Sequence, residues 1–223
     1  MDISQLKKEA GVKACQMVEN GMTLGVGTGS TVAYFIEELG RRHKEEGLEA
    51  RCVPTSIRSA QALKKCGMEV CDIDKVGRID LTVDGADAVD PKLNGLKGMG
   101  GALLWEKIVA ENSDHYVWIV DESKLVDALR GKVCLEVVKF GSGKLLKQLE
   151  ECGLNPSFKK GENGPALTDS SNYLIELDLG EIKDPAFLAN DLKQRTGVIE
   201  HGMFLGMVNG VIAATQNGIK IIK

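Results

Sequence analysis

A short apolar run that breaks into glycines and restarts as a helix constrains this chain more than any other feature. Met22-Thr-Leu-Gly-Val26 reads as a strand and Gly27-Thr-Gly-Ser-Thr31 as a tight turn. Val32-Ala-Tyr-Phe-Ile-Glu-Glu-Leu39 then resumes apolar residues at helical spacing. Strand, glycine turn and helix in that order open a βαβ unit, which points to an α/β fold: an open, mainly parallel sheet flanked by helices. The same unit is an anion site. Backbone N–H groups converge at the start of the helix, and the Ser30 and Thr31 hydroxyls join them. A dinucleotide fits poorly, because Ser30 stands where G-x-G-x-x-G has its third glycine. The next strand, Ala50-Arg-Cys-Val53, runs into Pro54-Thr55-Ser56 with no acid for ribose hydroxyls. A nucleotide P-loop would end in Gly-Lys-Ser/Thr, and this turn does not. A phosphate monoester is the better match, against a turn that merely caps and packs a helix.

Further along, Ile79-Asp-Leu-Thr-Val83 is a strand that delivers Asp84 and Asp87 at its C-terminal end. In open α/β sheets ligands bind beyond those strand ends, so these carboxylates and the glycine turn should face one crevice. Lys97 then opens a second glycine-rich turn, Lys97-Gly-Met-Gly-Gly, followed by a helical segment containing Glu106. The neighbours of Glu106 at i−4, i−3, i+3 and i+4 are Ala102, Leu103, Val109 and Ala110, so it points along the apolar face. A carboxyl held there should have a raised pKa, in the range useful to a general base near neutrality. Lys97 balances the two aspartates and is placed to neutralise a developing oxyanion. The apolar strand Tyr116-Val-Trp-Ile-Val120 ends in Asp121-Glu-Ser-Lys124, where Lys124 reads equally as a ligand contact or a solvated loop lysine.

The remaining elements sort into two domains. Residues 3–19 and 56–66 are helical, and Met68-Glu-Val-Cys71 is a strand. From about Val133 the order becomes strand, helix, strand, strand, helix, strand, ending at Val198-Ile-Glu-His201. That is the split βαβ pattern of a small ferredoxin-like α+β domain. Its expected span is 130–203. Residues 1–129 and 204–223 form the larger domain, to which Phe204-Leu-Gly-Met-Val208 and Val211-Ile-Ala-Ala214 return as strands.

A net charge of −4 with no basic patch argues against nucleic acid. The six cysteines include no Cys-x-x-Cys pair, and the three histidines are scattered, so neither metal nor cofactor is expected. Several cysteines lie inside apolar runs as small hydrophobes, which suits a reducing, cytoplasmic compartment. The N-terminus lacks the pattern of a signal peptide, and no apolar run approaches the length of a membrane span.

Four separated motifs, Gly25-Val-Gly-Thr-Gly-Ser-Thr31, Val83-Asp-Gly-Ala-Asp87, Lys97-Gly-x-Gly-Gly and Glu106-Lys107, resemble in order and spacing the A-type ribose-5-phosphate isomerases. The resemblance runs from Leu6-Lys7-Lys8 to the C-terminal strands. It implies a large domain related to coenzyme A transferases, a small ferredoxin-like domain, a sugar phosphate as partner, and a homodimer or homotetramer needing no metal. By the same resemblance Glu106 moves a proton between C2 and C1. Thr28, Gly29, Ser30 and Thr31 hold substrate with help from Lys7 and Lys124. Asp84, Asp87 and Lys97 line the sugar hydroxyls and the enediolate, and Gly85, Ala86, Gly98, Met99 and Gly100 complete the substrate-binding set. The chain departs from the family pattern at Met99, where glycine is usual, and at Leu104-Trp105, which replaces a more polar pair. Two rivals share the fold: a coenzyme A transferase, whose glutamate would be labelled by an acyl thioester, and a sugar-phosphate sensor, which would need a DNA-binding segment that is not evident here.

Overall fold

A computed structural model describes residues 2–223. The first glycine-interrupted run folds as α1 (Ile3–Cys15), β1 (Thr23–Val26) and α2 (Ser30–Glu46). The alternation continues through β2 (Arg51–Pro54), α3 (Ile57–Lys65), β3 (Glu69–Val70) and β4 (Ile79–Asp84). Two short strands, β5 (Ala88–Val89) and β6 (Gly95–Leu96), precede α4 (Leu103–Glu111) and β7 (Ser113–Asp121). Next come β8 (Arg130–Val137), α5 (Ser142–Glu151), β9 (Pro156–Phe158) and the pair β10 (Lys160–Gly161) and β11 (Gly164–Pro165). They are followed by β12 (Tyr173–Glu181), α6 (Pro185–Gln194) and β13 (Val198–His201), and the chain closes with β14 (Met203–Phe204), β15 (Gly210–Thr215) and β16 (Gly218–Ile222).

These elements sort into two units. The first comprises the chain up to Ala86, Trp105–Leu125 and Met207–Lys223. Its seven-stranded sheet has the order β16-β15-β7-β4-β1-β2-β3, parallel throughout except for the β15–β16 hairpin. β1 is buried at every position, as strands covered on both faces must be. Leu6, Ala10 and Ala14 of α1 join Phe35, Ile36 and Leu39 of α2 in its main core. A second cluster, Val53, Ile79 and Val109, includes a residue of α4. Among the described residues no helix is long and apolar enough to cross a membrane.

The second unit comprises Asp87–Leu104 and Val126–Gly206. Its main sheet is antiparallel with order β13-β8-β12-β9. β8 and β9, joined through α5, are separated by β12, and β12 and β13, joined through α6, are separated by β8, which is the split βαβ arrangement. Val133, Leu135, Val137, Ile175 and Leu177 of the central strands pack with Leu145, Leu149 and Leu192 of the helices.

Two features depart from the expected organisation. Asp87–Leu104 groups with the second unit, although the sequence reading placed it in the larger domain. A turn closed by Asp90, which accepts from the amides of Lys92 and Asn94, folds β5 back on β6. The pair then takes β14 as its third strand, so the segment never joins the parallel sheet. For the same reason Phe204–Val208 is not a strand of that sheet: only Met203–Phe204 is extended and paired, and it pairs with β6. The parallel sheet resumes later, where the Asn209 amide donates to the Tyr116 carbonyl just ahead of β15.

Candidate active site

In the first unit the glycine turn wraps a carboxylate. Asp84, the last residue of β4, is fully buried, and its Oδ1 accepts from the backbone amides of Thr28 at 3.1 Å and Gly85 at 2.7 Å. The Tyr116 hydroxyl donates to Oδ2 at 3.2 Å. Gly27 is required by this approach, since a Cβ there would run into the Asp84 carboxylate. These donors and complete burial hold the Asp84 carboxylate in one orientation. Burial, reinforced by the charges of Asp84 and Glu106, raises the Tyr116 hydroxyl well above the usual tyrosine range, so it remains a donor.

Thr28 has a second role. Its hydroxyl lies within hydrogen-bond distance of Thr55 (2.8 Å), Ser56 (2.7 Å) and Ser59 (3.1 Å), all buried. Ser59 donates to the Gly27 carbonyl at 2.6 Å, and the Ser56 side chain caps α3 through the Ser59 amide. The turn is thus pinned from β2 and α3 as well as from β4. At its exposed rim Lys7 of α1 donates to the Ser30 hydroxyl at 3.0 Å, which puts an ammonium beside the start of α2. Gly29 is the N-cap of that helix, and Thr31 lies buried in its first turn. The first turn of a helix, two hydroxyls and a lysine form an anion-binding arrangement.

Glu106 lies in the first turn of α4 with only 4 % of its surface exposed. Ala102, Leu103, Val109 and Ala110, which the helical spacing put on its face, are all buried too. Gly85 and Ala86 follow Asp84 and are half-buried. Lys124 lies in the single 3₁₀ turn after β7, half-buried, in the same unit as Lys7 but without a hydrogen bond to the glycine turn.

The second unit positions the other candidates. The Asp87 amide donates to the Leu96 carbonyl at 2.7 Å, and Asp87 Oδ2 accepts from the Met99 amide at 3.1 Å. Lys97 is 3 % exposed; its amide donates to the Gly202 carbonyl, and its Nζ lies 5.5 Å from the centroid of the Phe204 ring. Gly98 has φ +106°, and a Cβ there would press on Leu103 and Cys134, so only glycine makes this turn without strain. Met99 and Gly100 are exposed at the tip of the loop, and Lys159 donates to the Met99 carbonyl at 2.9 Å.

Sequence reasoning did not single out Tyr116, Ser59 or Lys159. Tyr116 reaches Asp84 through the pairing of β7 with β4, in which it lies opposite Thr82, two residues from the pair Asp84 and Trp118. Ser59 reaches Thr28 and the Gly27 carbonyl, and Lys159 the Met99 carbonyl, through tertiary contacts that no local pattern encodes. Among the described residues no group of three or more His, Cys, Asp or Glu is placed to hold a metal ion.

The profile of the family described as ribose 5-phosphate isomerase A (phosphoriboisomerase A) matches residues 51–218. Ribose-5-phosphate isomerase A of Streptococcus thermophilus is 50% identical over 223 residues, 99% of each chain. Among solved structures, a D-ribose-5-phosphate isomerase in complex with phospho-erythronic acid superposes with a TM-score of 0.96 at 34% identity, covering 100% of both chains. Ribose 5-phosphate isomerase from Plasmodium falciparum gives 0.92 at 33% identity, covering 99% of this chain and 98% of that one.

Proposed function

The chain belongs to the ribose 5-phosphate isomerase A family, and from that premise we propose how its residues interconvert D-ribose 5-phosphate and D-ribulose 5-phosphate. Glu106 is the base. It takes the proton from C2 of the aldose, the electrons pass into a cis-enediolate, and the same carboxyl returns the proton to C1. One base serves both carbons because the planar intermediate presents C1 and C2 on one face. The observation that carries this reading is the burial of Glu106 in the first turn of α4, among the buried Ala102, Leu103, Val109 and Ala110.

The remaining roles follow the chemistry of each group. Lys7, Thr28, Gly29, Ser30 and Thr31 take the phosphate, with Lys124 contributing positive charge. Lys97 stabilises the oxyanion of the enediolate, and Asp87 orients the sugar hydroxyls. Asp84 holds the glycine turn in place and lines the same substrate, and Gly85, Ala86, Gly98, Met99 and Gly100 bring backbone close to it. The relative bound to phospho-erythronic acid supports this assignment, since that ligand joins a phosphate to a planar carboxylate shaped like an enediolate. The activity belongs to the non-oxidative branch of the pentose phosphate pathway, carried out by a homodimer or homotetramer in the cytoplasm.

Glu106→Gln keeps size and hydrogen-bonding reach but removes the basic lone pair. It should lower kcat by about 10²–10⁴ while the Michaelis constant changes little. With substrate deuterated at C2, the wild-type protein should show a primary isotope effect and carry some label to C1. A Glu106→Gln protein within about tenfold of wild type would move the base elsewhere, with Asp84 the next candidate.

A further inference from the structure

The loop Lys97–Gly100 contains one reactive group that proton transfer does not use, the thioether of Met99. Met99 is 38 % exposed, and its sulfur lies 3.8 Å from the Cys134 thiol. Burial pushes that thiol up to about 12, so it carries essentially no thiolate at neutral pH and is a poor target for an oxidant. The thioether needs no deprotonation to react, and of this sulfur pair it is the accessible member. Its backbone matters as well. The Met99 amide holds the Asp87 carboxylate at 3.1 Å, and the Met99 carbonyl accepts from Lys159 at 2.9 Å. Lys159 is also tied to Glu176 at 2.9 Å. Two hydrogen bonds that anchor the loop tip therefore belong to the residue whose side chain is open to oxidation.

We propose that Met99 is an oxidation site through which hydrogen peroxide lowers isomerase activity by disturbing Asp87. The sulfur lone pair attacks the peroxide, one oxygen is transferred to form the sulfoxide, the O–O bond breaks, and water leaves. The apolar thioether becomes a strongly polar, chiral group, which no longer packs against the Cys134 thiol as a thioether does. Repacking of the side chain shifts the peptide unit that holds Asp87. The loss of activity rests on Asp87 being a substrate contact; the oxidation itself does not. Met68 and Met203 are buried beyond reach, whereas Met17 is exposed at the end of α1 and serves as an internal comparison.

Wild type, Met99→Leu and Met17→Leu are exposed to hydrogen peroxide, each is compared with its own untreated rate, and added oxygen is located by peptide mass. In wild type and Met17→Leu, activity should fall in step with one oxygen on Met99, through a several-fold rise in the Michaelis constant. Met99→Leu should keep its starting rate. Methionine sulfoxide reductases should restore wild type, and dithiothreitol should not. Equal loss in Met99→Leu, recovery with dithiothreitol alone, or complete oxidation of Met99 with unchanged kinetics would each overturn the proposal. If untreated Asp87→Ala is fully active, the reading of Asp87 as a substrate contact fails instead, and the mass at Met99 still reports the oxidation separately.

Discussion

At the scale of single residues, the most informative contact is the buried hydrogen bond from Tyr116 to Asp84. A buried carboxylate needs donors, and two of those on Asp84 are backbone amides that a side-chain substitution leaves in place. The tyrosine hydroxyl is a donor that a substitution can delete. Tyr116→Phe keeps the ring and its edge contact with Trp118 but strips a donor from a charged group. The expected cost is about 1.5–3 kcal/mol of unfolding free energy, measured by urea denaturation. Because Asp84 also orients the Thr28 amide, the Michaelis constant should rise modestly with kcat nearly unchanged. Unchanged stability would show that the hydroxyl contributes nothing to holding Asp84. The sequence revealed the carboxylate by its place at a strand end but not this donor, because Asp84 and Tyr116 lie thirty-two positions apart and meet only when β4 pairs with β7.

At the scale of elements, the β1–turn–α2 unit was readable directly from residues 22–39, because glycines, hydroxyls and helical periodicity there all favour one local geometry. The same holds for the buried face of α4, where the spacing around Glu106 identified the residues that the fold encloses. β14 was not readable in this way. Phe204-Leu-Gly-Met-Val208 has the composition of a strand, but its pairing depends on β6, which exists only because Asp90 turns the chain back. Propensity proposes a strand, and the available partner decides its length and sheet. The function of the turn can be tested as one element. Ser30→Ala together with Thr31→Ala should raise the Michaelis constant for ribose 5-phosphate by about 10²–10⁴-fold, the loss of two hydrogen bonds to a charged group. Residual activity on unphosphorylated ribose should be nearly unaffected. Equal losses on both substrates would count against phosphate binding at α2.

At the scale of the whole molecule, the chain passes from the first unit to the second and back twice, so each unit is assembled from separated segments. Stability therefore depends on interior groups contributed from far apart in sequence, and Glu136 in β8 is one whose effect has a definite sign. It is buried, and it accepts from Thr168 at 2.9 Å and Asn172 at 2.8 Å. Burial raises its pKa above the usual 4.5; the two hydrogen bonds oppose that shift, and the charge of Asp169 adds to it. Glu200 lies opposite in register, its carboxylate paired with Lys193. A carboxyl with a raised folded pKa binds its proton more tightly in the native state. Stability is therefore greatest below the unfolded value and falls as pH rises through the window up to the folded value. Glu136→Gln keeps an oxygen for Thr168 and Asn172 and removes the ionisation. The variant should melt at a higher temperature than wild type at pH 7, and the difference should shrink as pH falls toward 4.5. Melting curves of both proteins across that range decide the matter: a wild-type advantage at pH 7 that vanishes in acid would mean the carboxylate is stabilised by its surroundings, with its pKa shifted in the opposite direction.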